Sequence, residues 1–299
     1  MVKISYGIIL LLLCTSQALA EGHTSPWYTD LSVYAITDDN INRAEAKWDQ
    51  ESDSILGVSA DASYTRELSV NKSLVYSAGL AHESYEEWTG LSSTVLNTKV
   101  EYRFRTRGSF TAPIYSLFIS LEGRDYKSEL RDGNQVVAGL SVFKRLTDKV
   151  VFTGGVDVKE RDADADVFDI TNQRVYAVFD YSFGASHSLY LQYQFLDGDI
   201  VSSSRPTQRI NAARPYWKAW QQDDAFSTRE SLGTGLGYQS VDRFAYRFDA
   251  ETNIVSIGYS LPVGHNKTLQ LTFDDYDSEA QGDINYQGER ARIDLLFRF

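Results

Sequence analysis

From about residue 27 onward, apolar and polar side chains alternate along the chain with a period of two. In the last stretch, Ala291, Ile293, Leu295, Phe297 and Phe299 share one face, while Arg290, Arg292, Asp294 and Arg298 share the other with Leu296. Successive side chains on a strand point to opposite sides, so such a segment is oily on one face and ionic on the other. The same alternation runs through 56–65, 96–105 and 115–122. Roughly twelve runs of about ten residues can be marked out, the length a tilted strand needs to cross a bilayer. They begin at Trp27, Ser54, Leu74, Thr94, Ile114, Gln135, Val150, Arg174, Ser188, Tyr246, Thr268 and Gly288. No helical period interrupts them, and no fixed-length repeat shows beyond the hairpins. The fold class is all-β.

A soluble sandwich also alternates, but three features favour a closed antiparallel transmembrane β-barrel. Connections alternate between turns ("SVNKS", "LTDK", "GASH", "PVGHNK") and loops ("DDNINRAEAKWDQES", "RDADADVFDITNQ" and about 198–245). Short periplasmic turns and long extracellular loops have this asymmetry. Aromatic residues gather at one end of the oily face: Trp27, Tyr64, Tyr76, Tyr102, Phe104, Tyr115, Phe152, Tyr181, Phe183, Tyr259, Phe297 and Phe299. That is an interfacial girdle, broken only where the sixth strand ends on Lys144–Leu146. Finally, an even strand number leaves both termini on one side. Fourteen strands is the alternative count, should Ser231–Ser240 extend a strand.

The chain has 299 residues, and its first twenty have the form of a secretory leader. Lys3 precedes an apolar "IILLLLC" core, and Ala18-Leu19-Ala20 is an A-x-A cleavage site. The barrel domain would then be 21–299. Cys14, the only cysteine, lies inside the leader behind Leu13, where a lipoprotein signal wants a small residue. An exported chain without cysteine gains nothing from disulfides and must be stabilised by its architecture. The formal charge of −12 becomes −13 once Lys3 is removed, which argues against nucleic acid as a partner. No apolar run after Ala20 approaches the length of a transmembrane helix.

In these respects the chain resembles Gram-negative outer-membrane β-barrel proteins of the porin-like kind. The resemblance covers essentially all of 21–299 at the level of architecture. It implies an integral place in the outer membrane among lipid and lipopolysaccharide. It also implies that Ala291, Ile293, Leu295, Phe297 and the terminal Phe299 are read by the barrel-assembly machinery. Physically, the last strand closes the cylinder and leaves no open edge in lipid.

By parity, the bore would be lined by the acids Asp61, Glu101, Glu122, Asp157, Asp180, Asp274 and Asp294. The inward bases would be Lys99, Arg103, Arg124, Arg145, Lys159, Arg174, Arg290, Arg292 and Arg298. Twelve strands leave a small bore, so this mixture suits a narrow channel for small polar or anionic solutes. It equally suits a cross-braced lumen through which nothing passes. The longest loop joins Arg205, Arg209, Arg214 and Lys218 to Tyr216, Trp217 and Trp220. Such a set could bind sugar or phosphate or fold inward as a plug, or its charges could pair with Asp223, Asp224 and Glu230 of the same loop. The stretch "LGTGLG" at 232–237 lacks the Lys-Ser/Thr ending and following helix of a phosphate cradle.

Two weaker motifs remain. Asp162, Asp164, Asp166 and Asp169 alternate as calcium ligands do, but Val167 stands where the tight turn needs Gly and Gln173 where the closing Glu belongs. An acidic, solvated loop is the plainer reading, and neither a resident metal nor a cofactor is expected. In "AHESYEEW", His82 and Ser84 fall on the oily face near the outer leaflet. That placing resembles the His-x-Ser of outer-membrane phospholipases and lipid A deacylases, where the His takes the serine proton. The phospholipase's Asn-Gly after the serine is here Tyr85-Glu86, and Asn97, on the next strand, has inward parity. The other histidines, His23, His187 and His265, show no zinc-like spacing. The expected function is therefore a narrow porin-like channel. A lipid hydrolase and a non-transporting structural or export-associated barrel are the alternatives.

Overall fold

In the computed structural model the twelve alternating runs are long strands joined into one closed antiparallel ring. It describes residues 26–184, 187–231 and 238–299, with the backbone alone at 228–231 and 238–241. The leader expected at 1–20 with Cys14, His23 and the Gly-rich 232–237 lie outside the described residues. The first nine strands are β1 (Trp27–Asp38), β2 (Asp53–Ser69), β3 (Lys72–Tyr85), β4 (Ser93–Arg105), β5 (Ile114–Tyr126), β6 (Gly133–Arg145), β7 (Val150–Ala163), β8 (Ile170–Phe183) and β9 (His187–Ser204). Three short strands follow: β10 (Ala219–Gln222), β11 (Thr228–Ser231) and β12 (Tyr238–Val241). The wall resumes with β13 (Phe244–Pro262), β14 (Lys267–Ala280) and β15 (Ile284–Arg298).

Neighbours in sequence pair as hairpins, and β9 pairs with β13 from Ser188↔Ser260 to Ser204↔Phe244. Closure is made by β1 and β15, from Asp30↔Arg298 to Asp38↔Arg290. β11 and β12 pair only with each other, so the stretch around 231–240 adds nothing to the wall and the count is twelve.

Burial is inverted relative to a soluble protein. Outward Leu56 and Leu96 are 67% and 60% exposed, while inward Glu101 and Asp157 are 5% and 6% exposed. A belt of exposed Leu, Val and Ile around a closed ladder is stable only where lipid replaces water. At one end of the belt the aromatic residues meet as a girdle. Trp27 packs on Tyr64 at 4.9 Å between ring centroids, Phe104 on Tyr115 at 5.1 Å, and Phe152 on Phe179 at 5.1 Å. His187, expected in an inner turn, opens β9 in this girdle, 2.6 Å from the Tyr259 hydroxyl.

Inside the wall, tyrosines lie over glycines of the adjacent strand. Tyr34 faces Gly57, Tyr190 faces Gly258, and Tyr276 faces Gly288, each directly opposite in register. A Cβ on any of these glycines would fall inside the tyrosine ring or on its hydroxyl. The missing side chain is the space each ring occupies.

Two connections depart from the short-inner, long-outer rule. The outer turn 281–283 is short because Gly282 and Asp283 both take positive φ, 87° and 59°, and return the chain at once. The inner connection 106–113 is longer, and Pro113, which has no N–H for the ladder, stands just before β5 begins at Ile114. The outer hairpins also share a motif that the sequence reading did not register. After β3, β5 and β7 comes a single 3-10 turn: Thr89–Leu91, Glu129–Arg131 and Asp166–Phe168. The next residue in each accepts, through its side chain, the N–H at the end of the preceding strand. Ser92 Oγ accepts from Tyr85 at 3.1 Å, Asp132 Oδ1 from Tyr126 at 2.6 Å, and Asp169 Oδ1 from Ala163 at 2.8 Å.

Candidate functional site: a charged bore beneath a packed outer cap

The charges expected from parity to line the bore lie on strands of the closed ring, where even or odd position decides the face each takes. Their ion pairs run along the wall. Arg103, Arg124 and Arg292 each bind an acid two residues away on their own strand: Glu101 at 2.6 Å, Glu122 at 3.1 Å and Asp294 at 2.5 Å. Lys99 also reaches Glu101, at 3.0 Å. Arg174, Arg290 and Arg298 bind the residue opposite them on the neighbouring strand: Asp157 at 2.6 Å, Asp274 at 2.5 Å and Asp30 at 2.8 Å. Arg124 reaches two strands away to Glu83 at 3.4 Å, and the Tyr34 hydroxyl donates to Glu83 at 3.2 Å. Asp61 faces Asp30 across the β1–β2 ladder, Asp180 faces the bore near the inner end, and Arg145 lies over the rings of Phe110 and Phe143. The parity reading missed Asp30, Glu83 and Arg161, which one more step of the same alternation along β1, β3 and β7 would have added.

The outer end is built differently. Two loops cross the mouth. In 39–52, the Asn42 amide donates to Ser203 O of β9 at 2.9 Å, and the Ser203 N–H returns a bond to Asn42 O at 2.8 Å. The Arg43 guanidinium stacks on the Tyr276 ring at 3.7 Å. In 205–227, a short helix α1 (Gln208–Ala212), capped by the Thr207 hydroxyl, seats Ile210 against Tyr246, Phe248 and Tyr286. β10 then extends the wall along the outer end of β13, and the chain turns inward. Ala225 and Phe226 pack on Tyr34, Ile36, Ile55, Tyr85, Trp88 and Leu91, so they sit inside the barrel.

Buried charges hold this crossing in place. Asp223, fully buried, pairs with Arg131 and accepts from the Ser203 hydroxyl. Arg243 pairs with Asp49 and Glu51 and lies over Trp88. Arg161 donates to Arg131 O at 2.6 Å, and the Ser128 hydroxyl to Asp224 at 2.5 Å. Arg131 also lies over Phe168 at 4.3 Å. Burial lifts the Glu51 carboxyl above its usual range by more than Arg243 lowers it. At Lys218 burial works to lower the ammonium's pKa, but hydrogen bonds to Asp199 and Asp249 outweigh it and hold the value above the ordinary one.

The basic-aromatic loop residues are accordingly engaged with other elements. Arg205 pairs with Asp49 and Arg209 with Glu45, Lys218 bridges Asp199 and Asp249, and Arg214 lies over Trp217. Trp217 packs on Tyr246 and Trp220. Asp223 and Asp224, expected to neutralise this loop's own bases, bind Arg131 and Ser128 instead. Such pairings link distant parts of the chain, and local sequence carries no sign of them.

His82 and Ser84 both face outward on β3. The His82 ring pairs with the Thr94 hydroxyl at 3.1 Å, and the residue opposite Ser84 is Leu56, while Asn97 faces the bore. Asp162, Asp164 and Asp166 are spread along the outer hairpin, and Asp169 accepts the Ala163 N–H as part of the turn motif. Among the described residues no three His, Cys, Asp or Glu side chains gather as metal ligands would.

Several solved structures share the architecture. An outer-membrane channel from Pseudomonas putida F1 superposes with a TM-score of 0.54 at 11% identity, over 95% of this chain and 99% of that one. The KdgM porin gives 0.41 at 10% identity over 90% and 99%, and the NanC porin 0.44 at 9% identity over 89% and 98%. At these identities the likeness is one of fold alone. No protein-family model matches the chain, and no curated protein matches it in sequence. The chain is a closed twelve-stranded antiparallel β-barrel whose fold resembles that of the Pseudomonas putida outer-membrane channel.

Proposed function

We propose that this outer-membrane β-barrel is a narrow channel for small polar or anionic solutes, held shut at its outer mouth by the crossing loops. The observation that carries the proposal is the direction of the ion pairs. A lumen filled for stability would tie opposite walls together. Here the guanidiniums lie mostly along their own strand or against the next one, as Arg103–Glu101 and Arg174–Asp157 do, and the longest reach, from Arg124 to Glu83, spans two strands on the same side of the barrel. Such pairs fix the side chains without bridging the bore, and they supply a polar surface that can replace part of a solute's hydration shell. The loops cross only above this region, so passage depends on their movement.

Purified protein in a planar bilayer tests this. Wild-type protein gives discrete conductance steps, and Phe226→Ser, which loosens the crossing, lengthens or enlarges them. If both proteins are silent at all voltages, the channel reading is lost and the non-transporting barrel replaces it.

A further inference from the structure

Charged side chains buried in a protein are nearly always paired. Lys159, inward on β7 and 7% exposed, makes no ion pair or hydrogen bond with any described residue. The residue directly opposite it on β8, Asn172, is 6% exposed and also lacks a partner among the described residues. Directly opposed side chains on a ladder stand about 5 Å apart at their Cβ atoms, close enough to share one ligand. Neither polar head is sealed from the space inside the barrel. Beyond Lys159 the ladder continues to Val137 and beyond Asn172 to Gly198, where a side chain would collide with Asn172.

The surrounding charges show what is missing. Arg174 and Arg161 crowd Lys159, and the acids that offset it are Asp157 and Glu122. Asp157 is already held by Arg174, and Glu122 by Arg124, which also takes Glu83. Arg161 donates to a neutral carbonyl. Four cations (Lys159, Arg161, Arg174, Arg124) therefore face three carboxylates (Asp157, Glu122, Glu83). By formal charge the surplus is one; Lys159 and Arg161 are the two cations that hold no carboxylate, and of these only Lys159 also lacks a hydrogen-bond partner among the described residues.

From this we infer that Lys159 and Asn172 form a binding site in the bore for a single carboxylate group, the ammonium and the amide N–H each donating to it. A singly charged anion neutralises the surplus, whereas a phosphate dianion would overshoot it and would need the guanidinium forks that Asp157 and Glu122 already occupy. The inference rests on the channel reading and gives that channel its solute class: small monocarboxylates.

The test uses the full-length barrel folded in detergent and ¹³C-labelled acetate, with binding followed by broadening of the acetate signal. Wild type binds saturably. Lys159→Gln weakens binding roughly tenfold, in line with loss of a charge-assisted hydrogen bond, and Lys159→Arg retains it. Asn172→Asp keeps the barrel folded, supplies the carboxylate internally and abolishes acetate binding, so the proposal stays testable even if Lys159→Gln misfolds. Equal affinity in wild type and Asn172→Asp, or no binding to wild type, overturns the site. In a bilayer with a salt gradient, Lys159→Gln shifts the reversal potential toward cations. If acetate binding requires Lys159 while the wild-type bilayer stays silent, the site stands and the channel reading falls.

Discussion

The outer crossing can be opened without touching the wall by replacing Asp223 with alanine. Asp223 is fully buried; it pairs with Arg131, accepts from the Ser203 hydroxyl, and takes the Ala225 N–H at 3.1 Å. Its removal leaves the Arg131 guanidinium, 2% exposed, with no counter-charge. Breaking a buried ion pair from one side costs about 3–5 kcal/mol. Asp223 belongs to no wall strand, and on the wall its loss frees the Ser203 hydroxyl at the outer end of β9, so little of that cost falls on the twelve-strand ladder. Most of it falls on the closed state of the 205–227 loop. Since about 1.4 kcal/mol is a factor of ten, the amides of 219–227 should exchange with solvent roughly a hundredfold to a few thousandfold faster. The ladder amides of β3 to β8 should be unchanged. Hydrogen exchange read by mass spectrometry on the folded barrel measures both in one experiment. The double variant Arg131→Met with Asp223→Ala no longer strands a charge and should recover much of the protection. Unchanged exchange in Asp223→Ala, or a double variant no better than the single, would refute the claim that buried charge latches the mouth.

Further outcomes follow from the wall and the loops. Gly57→Ala drives a methyl group into the Tyr34 ring, so it should lower barrel stability in urea by about 1–3 kcal/mol; Tyr34→Ala combined with it should relieve the clash. Changing Phe299, which is 65% exposed at the end of the chain, to Ser should slow assembly of the barrel in cells while leaving the stability of folded protein nearly unchanged. A pulse-chase of heat-modifiable gel mobility separates the two effects. Burial disfavours the charged form of Glu51, so its value in the closed loop lies above that of the free side chain. The closed loop therefore takes up a proton more readily, and loop protection should rise as pH falls from neutral toward the ordinary carboxylate range; Glu51→Gln should flatten that dependence. Lys218 has the opposite consequence. Its raised value means that its pairs with Asp199 and Asp249 contribute fully below the ordinary lysine pKa and are lost only as pH rises through the folded value. Lys218→Met should thus loosen the loop equally at pH 6 and pH 9.

The wall was legible in the sequence because each of its positions reports on a local rule. A strand between lipid and a polar bore must alternate, so parity alone placed Arg174, Asp274 and Arg292 inside and Leu56, Leu96 and Ile293 outside. Three strand starts, Trp27, Ile114 and Val150, coincide with the structure. The others begin one to four residues earlier, because the strands run past the membrane into segments where both faces are polar or packed and alternation fades. There β9 and β13 pair out to Ser204 and Phe244. The outer crossing obeys no such rule. Arg131 meets Asp223 across 92 residues, and Arg243 meets Asp49 across 194, so nothing near Arg131 in the chain signals its partner. The turn motif of Ser92, Asp132 and Asp169 repeats a geometry with different residues, and only the side-chain oxygen is common to all three. Lys159 lies between these cases. Its inward direction was plain from parity, but its lack of a partner emerges only after Arg124 and Arg174 have been assigned to Glu122 and Asp157. Parity could place the cations and acids in one lumen; it took the register between strands to show which cation is left over. A function that depends on one unmatched charge is therefore set by pairing across strands, even in a wall whose every strand can be read from the sequence.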